Sequence, residues 1–315
     1  MTRTAWGSGG LVCCGLTTLD VQQTVEALPG PDEKVVAEDL HVTFGGPAAN
    51  AAAVAVALGV PARLVTALGG GPLADVARAG LADAGVEVVD LAPARPGVLP
   101  VSTVLVTRAT GARAVASVNG ARAEVVVADG PAAEVLEGAA AVLVDGHLPG
   151  AATALARAAR AEGVPVLLDG GSWKPGTDAL LEHVDLAVLS ADFRPPAAAA
   201  PERPEDVDAL LDAVAARGPR FVARSAGAGP VRVRAATPGA ASVHRTSVRP
   251  AHLLPGAVVD TLGAGDVLHG AMAAALVRGA TPLVALAEGV RCATLSVEHR
   301  GARGWLGARG VAAAG

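Results

Sequence analysis

Short apolar runs alternate with longer helical segments along most of the chain, and this alternation restricts the folds open to it. Strand, helix and strand in succession favour a largely parallel sheet covered by helices on both faces. The predicted strands are Leu11–Gly15, Arg63–Thr66, Ala141–Asp145, Val164–Asp169, Leu186–Ser190 and Arg220–Arg224, and the predicted helices are Ala48–Leu58, Leu73–Ala84, Ala151–Ala161 and Glu205–Ala216.

Polar side chains stand at the ends of three of these strands, namely Asp145, Asp169 and Ser190. Parallel α/β sheets bind their ligands beyond the carboxyl ends of the strands. We therefore expect a polar ligand site at that edge of the sheet.

Two segments, Val21–Phe44 and Val101–Val118, interrupt the alternation with β-branched runs and turn residues such as Thr110-Gly111. They predict a small antiparallel element that projects from the main sheet, or alternatively a pair of ordinary surface hairpins. The Pro- and Ala-rich segment Pro195–Pro204 is the candidate for disorder.

The composition predicts how the core is packed. Hydrophobic residues make up 51% of the 315 residues and aromatic residues only 2%, so the core must consist mainly of Ala, Val and Leu. This length admits one large α/β domain or two small ones, and we expect one.

The segment Asp260-Thr261-Leu262-Gly263-Ala264-Gly265-Asp266 leads directly into the apolar run Val267–Val277. Its glycines allow the backbone N–H groups and the positive end of the following helix to face an anion. A carboxylate beside a bound phosphate is suited to accept a proton from an attacking hydroxyl, and Asp266 is the candidate. The alternative is a glycine-rich turn in which Asp266 only interacts with the helix dipole.

A second motif, Gly45-Gly46-Pro47-Ala48-Ala49-Asn50, precedes an alanine-rich helix. The glycine pair permits close approach to a small molecule, and the amide of Asn50 can donate to and accept from hydroxyls. These properties suit a polyol site. The alternative is a plain helix start with a solvated Asn50.

Several function classes are disfavoured by missing motifs. The chain has no G-x-x-x-x-G-K-[ST], H-E-x-x-H, G-x-S-x-G or G-x-G-x-x-G motif, and its three cysteines, Cys13, Cys14 and Cys292, form neither a C-x-x-C pair nor a disulfide framework. A net charge of −5 without a basic cluster argues against nucleic-acid binding. The apolar stretches are too short to span a membrane, and Met1–Gly10 does not resemble a signal peptide, so we expect a cytoplasmic protein.

In their order and separation, the two glycine motifs closely resemble the paired signatures of the PfkB, or ribokinase-like, carbohydrate kinase family. The resemblance implies a three-layer α/β/α fold with a mostly parallel central sheet and a small β lid, as a single domain over residues 1–315 with lid segments at about 17–44 and 97–121. It implies an ATP-dependent sugar kinase that uses Mg²⁺, with a monovalent cation left open. In this family the lid covers the sugar and often forms the contact of a homodimer.

The resemblance also assigns roles to residues. Asp266 would be the general base, and Gly263, Ala264 and Gly265 would bind the transferring phosphate. Gly15–Asp20 resembles the family's first strand, whose terminal Asp20 would bind sugar hydroxyls with Gly45, Gly46 and Asn50. The segment Ala293–Arg303 resembles the helix and turn that line the nucleotide base. The nucleotide-binding candidates are Ser225, Gly227, Gly229, Thr261, Gly263, Gly265 and Ala293.

The chain departs from the family at two places. Many relatives carry N-x-x-E where this chain reads Ser190-Ala191-Asp192-Phe193, so Asp169 and Asp192 are the candidate metal residues, acting through water. Relatives also carry a Thr and a Gly before the nucleotide-binding turn, where this chain has Val222-Ala223-Arg224.

Finer features resemble the ketohexokinase and sulfofructose kinase branch, which implies a ketose or a ketose derivative. Asn119 and His147 would contact the distal end of that substrate, or would be solvated loop residues, and Arg113 or Arg122 could bind an anionic substituent. The alternatives are a nucleoside kinase of the same fold, disfavoured by the scarcity of aromatic residues, and a non-catalytic sugar or nucleotide sensor.

Overall fold

The structure is a computed structural model that describes residues 6, 9–108, 113–118, 129–196, 206–236 and 242–307. The strands are β1 Gly10–Cys14, β2 Thr18–Val25, β3 Asp39–Gly45, β4 Ala62–Thr66, β5 Glu87–Asp90, β6 Val101–Thr107, β7 Arg113–Ser117, β8 Ala139–Val144, β9 Val166–Gly170, β10 Leu186–Leu189, β11 Phe221–Ala226, β12 Gly229–Ala236 and β13 Val243–Val248. The helices are α1 Pro47–Ala57, α2 Pro72–Asp83, α3 Asp129–Val135, α4 Pro149–Ala161, α5 Thr177–Leu181, α6 Val207–Ala215, α7 Ala264–Val277 and α8 Pro282–Ser296.

The main sheet has nine strands in the order β13-β12-β11-β10-β9-β8-β1-β4-β5. The neighbouring strands β11, β10, β9, β8, β1, β4 and β5 are all parallel. Strands β12 and β13 are antiparallel additions at one edge. The predicted parallel sheet is confirmed, and the six predicted strands lie within two residues of observed ones. The strand order changes direction between β1 and β8, which is the position where open α/β sheets form their ligand crevice.

Helices cover both faces of this sheet. One core cluster joins the sheet to α1, α2, α7 and α8, and a second joins it to α3, α4, α5 and α6. The three-layer α/β/α prediction is therefore confirmed. All five residues of β1 are buried, as expected for a strand covered on both sides.

Small residues bring α1 and α7 close together. A Cβ at Gly270 would collide with the carbonyl oxygen of Ala51, so glycine is required where α7 crosses α1. This close approach places the first turn of each helix side by side. The three cysteines are free and buried, as expected of small apolar residues.

The predicted lid is a separate four-stranded sheet in the order β3-β2-β6-β7. It was expected to be antiparallel, but β2 and β6 pair in parallel. The two strands are far apart in sequence and are joined by a crossover that contains α1 and α2, whereas only neighbours in sequence can form hairpins. Thr110-Gly111 and most of Pro195–Pro204 lie outside the described residues.

The register gives the lid two chemically different faces. The face directed to the cavity described below carries the row Thr43–Asp20–Ser102–Ser117 and then the row His41–Gln22–Val104–Val115. The opposite face carries the row Val42–Val21–Thr103–Ala116. No helix in the described part of the chain is long and apolar enough to cross a membrane.

Candidate active site

The turn before α7 has the conformation that the sequence predicts. Gly263 is left-handed (φ 76°) and immediately precedes the helix, and Asp266 lies in its first turn. The Asp260 carboxylate accepts from the N–H groups of Leu262 and Gly301, both at 2.8 Å, which fixes the turn against the segment after α8. The N–H groups of Gly265 and Asp266 have no acceptor among the described residues, so they are available to an anion.

Asp266 lies at the cavity wall, with its carboxyl group surrounded by protein. Burial, and next the negative charge of Asp169, raises the pKa of Asp266 to about 7. The side chain of Asn50 opposes this shift, because its Nδ2 donates to Oδ2 of Asp266 at 2.7 Å. A carboxyl group that titrates near neutral pH is suited to general-base catalysis.

Asn50 is 7% exposed and is held by two charged residues, so the alternative of a solvated helix-start residue is wrong. Its Oδ1 accepts from Nη1 of Arg303 at 2.5 Å while its Nδ2 donates to Asp266. The other terminal nitrogen of Arg303 donates to Thr43 Oγ1 at 2.6 Å and to the carbonyl of Phe44 at 3.0 Å. Arg303, expected near the nucleotide base, thus contacts the lid and α1 instead.

A buried contact between His269 and Asp169 lies beneath Asp266. Nδ1 of His269 is 3.3 Å from Oδ2 of Asp169 and 2.7 Å from the carbonyl oxygen of Gly265, while Nε2 is 3.1 Å from the carbonyl of Val188. Burial raises the pKa of Asp169, against the effect of His269.

Asp145 occupies the position where the strand order changes direction. It is 2% exposed and accepts from the N–H groups of Leu16 (2.8 Å), Ala48 (3.2 Å) and His147 (2.9 Å). Burial opposes its ionisation, but His147 and these N–H donors lower the pKa of Asp145. It thus holds the chain after β1 against the start of α1. Nδ1 of His147 lies 3.2 Å from Asp145, and His147 is not among the residues that line the cavity.

A cavity of about 620 Å³ lies between the lid and the starts of α1 and α7. Its walls include the sugar-site candidates Asp20, Gly46 and Asn50 together with Gly263 and Asp266. This volume lies within the range of about 300–1,000 Å³ typical of small-molecule sites.

Asp20 was expected at the end of the first strand, but β1 ends at Cys14 and Asp20 is the third residue of lid strand β2. Its carboxylate accepts from Thr18 Oγ1 at 2.7 Å. Gly45 lies beside it on β3, where any Cβ would collide with that carboxylate, so the first glycine of the motif makes room for Asp20.

A second arginine joins the lid to the candidate anion-binding turn, Asp260–Asp266. Nη1 of Arg113 on β7 lies 3.2 Å from Oδ1 of Asp260, and its Nη2 lies 3.5 Å from Thr261 Oγ1. Both terminal nitrogens of Arg113 therefore contact this turn. Asn119 and Arg122 lie outside the described residues.

The nucleotide-binding candidates Ser225, Gly227 and Gly229 lie at the carboxyl end of β11 and the start of β12. Ser225 Oγ donates to the carbonyl of Leu189 at 3.3 Å, next to Val188, which contacts His269 on α7. Arg224 Nη2 donates to the carbonyl of Ala191 at 2.7 Å. This hairpin and α7 therefore contact neighbouring residues of β10.

Two other candidates lie farther from the cavity wall. Ala293 is on α8, packed against the first core cluster, and Asp192 is exposed after β10. The described residues contain no group of three or more His, Cys, Asp or Glu side chains that could hold a metal ion.

Sequence reasoning did not single out His269, and it placed Arg303 near the nucleotide base, not beside Asn50. His269 follows Asp266 by three residues, and this helical spacing could have suggested a contact. Arg303 is 253 residues from Asn50, and no local pattern marks it.

Comparisons with known proteins identify the family of this chain. The family model for the pfkB family carbohydrate kinases matches residues 9–306. A ribokinase of Arabidopsis thaliana is 27% identical over 300 residues, which cover 93% of this chain and 77% of the relative. Among solved structures, a protein of Agrobacterium tumefaciens assigned as a ribokinase is 26% identical with a TM-score of 0.77, covering 95% of this chain and 94% of its own.

The structure of Arabidopsis thaliana ribokinase complexed with ribose and ATP has a TM-score of 0.71 at 24% identity, covering 93% of this chain and 94% of that one. The family match spans both glycine motifs, the lid and the segment that carries Arg303. This protein belongs to the pfkB family of carbohydrate kinases.

Proposed function

We propose that this carbohydrate kinase transfers the terminal phosphoryl group of ATP to a hydroxyl of a small sugar or sugar derivative. The observation that carries the proposal is Asp266, a carboxyl group with a pKa of about 7 in the first turn of α7, beside two N–H groups without acceptors among the described residues. Base and anion site are thus adjacent, as phosphoryl transfer requires. The related plant ribokinase was solved with ribose and ATP, which supports this substrate pair.

In the proposed mechanism the sugar lies in the cavity between Asp20 and Asp266. Asp20 accepts hydrogen bonds from sugar hydroxyls, Gly45 makes room for its carboxylate, and Gly46 lines the cavity where the ring would approach the backbone. The remaining N–H of Asn50 can donate to a hydroxyl while the other holds Asp266. Asp266 then accepts the proton of the attacking hydroxyl, and the free N–H groups of Gly265 and Asp266 at the Gly263–Gly265 turn stabilise the transferring phosphate.

On the nucleotide side we retain Ser225, Gly227, Gly229, Thr261 and Ala293 as candidates for ATP binding. Magnesium neutralises phosphate charge when bound. We propose that Asp169 and Asp192 act on it through water, since the described side chains offer no group of direct ligands.

The ketose preference, the distal contacts of Asn119 and His147, and the single-domain interpretation remain proposals. A nucleobase would favour aromatic stacking partners. The only aromatic carbocycle among the cavity residues is Phe44, and it is already covered by the Arg303 guanidinium at 3.8 Å, so a plain sugar derivative is favoured over a nucleoside.

We also propose a homodimer through the lid. The lid face opposite the cavity exposes apolar residues, among them Val42 at 43%. Sheet faces of this kind are usually covered by a partner.

The proposal is tested by ATP consumption across ketoses, aldoses, nucleosides and their phosphorylated or sulfonated derivatives, with wild type and Asp266→Asn. Removing the proton acceptor should lower kcat by at least about 100-fold with nearly unchanged KM values. Asp208→Asn, which changes a half-buried aspartate of α6 paired with Arg232, is the matched control. Near-normal turnover of a folded Asp266→Asn protein would refute the mechanism, and a blank across the whole panel would favour a sensor.

A further inference from the structure

We infer that Arg303 is a positioning residue that couples the lid to the catalytic base by fixing the side chain of Asn50. The inference rests on the proposed role of Asp266. Arg303 does not contact the reacting atoms in this account; it acts through one intermediate side chain.

The first step concerns the orientation of the Asn50 amide. A guanidinium only donates hydrogen bonds, so the group of Asn50 that faces Nη1 of Arg303 at 2.5 Å must be the oxygen. The NH₂ group is thereby directed to Oδ2 of Asp266, 2.7 Å away. If the amide were reversed, its oxygen would face a carboxylate and its NH₂ a guanidinium, and both contacts would be repulsive. Arg303 therefore determines that the base receives a donor.

The second step concerns the lid. The same guanidinium donates from Nη2 to the side chain of Thr43 and the backbone of Phe44, both on β3. Thr43 pairs in register with Asp20, the predicted sugar ligand, so Arg303 binds the row of the lid that would meet the sugar. A displacement of β3 would pull Arg303 away from Asn50 and release the amide.

The third step explains why an arginine is suited here. Burial lowers the pKa of Arg303, and the charges of Asp20 and Asp266 act in the opposite direction. An arginine stays protonated in such a site, and its planar fork can serve α1 and β3 at once, which an ammonium point charge does less well. The Arg303 guanidinium also covers the Phe44 ring.

The backbone that carries Arg303 is itself anchored. Trp305 is fully buried against α1, α7 and α8, and its Nε1 donates to the carbonyl of Ala302 at 2.9 Å. On the other side, Gly301 N donates to Asp260 of the anion-binding turn. The arginine therefore extends from a fixed support toward the lid.

The experiment is a double-mutant cycle on kcat with Arg303→Gln, Asn50→Ala and the double variant, at saturating ATP and sugar. Each single change should lower kcat roughly ten- to a hundredfold, as expected for a lost hydrogen bond to a charged group, with the KM for ATP unchanged. Because Arg303 acts through Asn50, kcat of the double variant should fall no further than kcat of Asn50→Ala alone. The matched control cycle pairs Asn50→Ala with Arg291→Gln, which changes an arginine of α8 bound to Glu288. In that cycle the fold-losses in kcat of the two single variants should multiply in the double variant.

Multiplying losses in the Arg303/Asn50 cycle, or an unchanged kcat in Arg303→Gln, would overturn the inference. If Arg303→Gln does not fold, Arg303→Lys retains the charge without the fork and serves in the same cycle. Asp266→Asn in parallel separates the two proposals. An active Asp266→Asn protein refutes the catalytic base, whereas an inactive one combined with multiplying losses refutes only the role of Arg303.

Discussion

The raised pKa of Asp266 makes a quantitative prediction for the pH dependence of kcat/KM. The carboxyl group is active as a base only when ionised, and its pKa is raised from 3.8 to about 7, first by burial and then by Asp169. Activity should therefore be present above pH 7 and be lost as the pH falls through it. The ionised fraction is about 91% at pH 8 and about 9% at pH 6, so kcat/KM should fall about tenfold between them. An ordinary aspartate would leave the profile flat over this range.

The phosphates of ATP ionise at about pH 6 to 7 as well, so the wild-type profile alone does not identify the group. Two neighbours of Asp266 separate the cases, because they shift its pKa in opposite directions. Asp169→Asn removes a negative charge and should move the acid limb to lower pH. His269→Gln removes the ring that favours ionised Asp266 and should move the limb to higher pH. An ionisation of ATP would do neither.

The assay is a coupled measurement of ADP release from pH 5 to 9 at low sugar concentration, with Asp266→Asn as the control for any residual activity. Circular dichroism at each pH confirms that the variants remain folded. The acid limb of the kcat/KM profile could lie at the same pH in wild type, Asp169→Asn and His269→Gln. That result would show that the observed ionisation does not belong to Asp266. A profile that stays flat to pH 5 would contradict its raised pKa directly.

Two further predictions concern the lid. Asp20→Ala should raise the sugar KM roughly ten- to a hundredfold, because a charged acceptor of hydroxyl hydrogen bonds is lost, while the KM for ATP stays the same; unchanged sugar affinity by titration calorimetry would exclude Asp20 from the site. Val42→Asp places a charge on the outer lid face and should convert the proposed dimer to a monomer in light scattering at micromolar concentration, and a monomeric wild type would exclude the lid dimer.

The main sheet could be predicted from the sequence because its strands are short apolar runs covered on both faces, a pattern that is local and easily recognised. The parallel pairing of β2 with β6 could not, since alternation identifies a strand and its faces but not the direction of its partner. The position of Asp20 was misjudged for a related reason. Gly15–Asp20 reads as one continuous segment, whereas the chain leaves the main sheet after Cys14 and enters the lid at Thr18.

At the site, the motifs identified Asp266 and Asn50 separately but not the bond between them, which joins residues 216 positions apart. That contact depends on the close crossing of α1 and α7, a property of the packed core. The contacts of Arg303 are harder still to predict, because an arginine in a Gly-rich C-terminal segment resembles any solvated residue until the fold brings β3 beside it. The local motifs could thus be recognised in the sequence, whereas the contacts that the tertiary fold assembles could not.

The two-faced lid also limits how this enzyme can change through evolution. Side chains alternate between faces along β2, so inserting or deleting one residue there would turn hydroxyl and carboxylate groups outward and valines toward the sugar. A single such event would change the lining of the cavity and the chemistry of the outer face at the same time. Length variation among descendants of this chain should therefore accumulate in the connections between lid strands, while the strands themselves diversify by substitution, which leaves new sugar specificities accessible one side chain at a time.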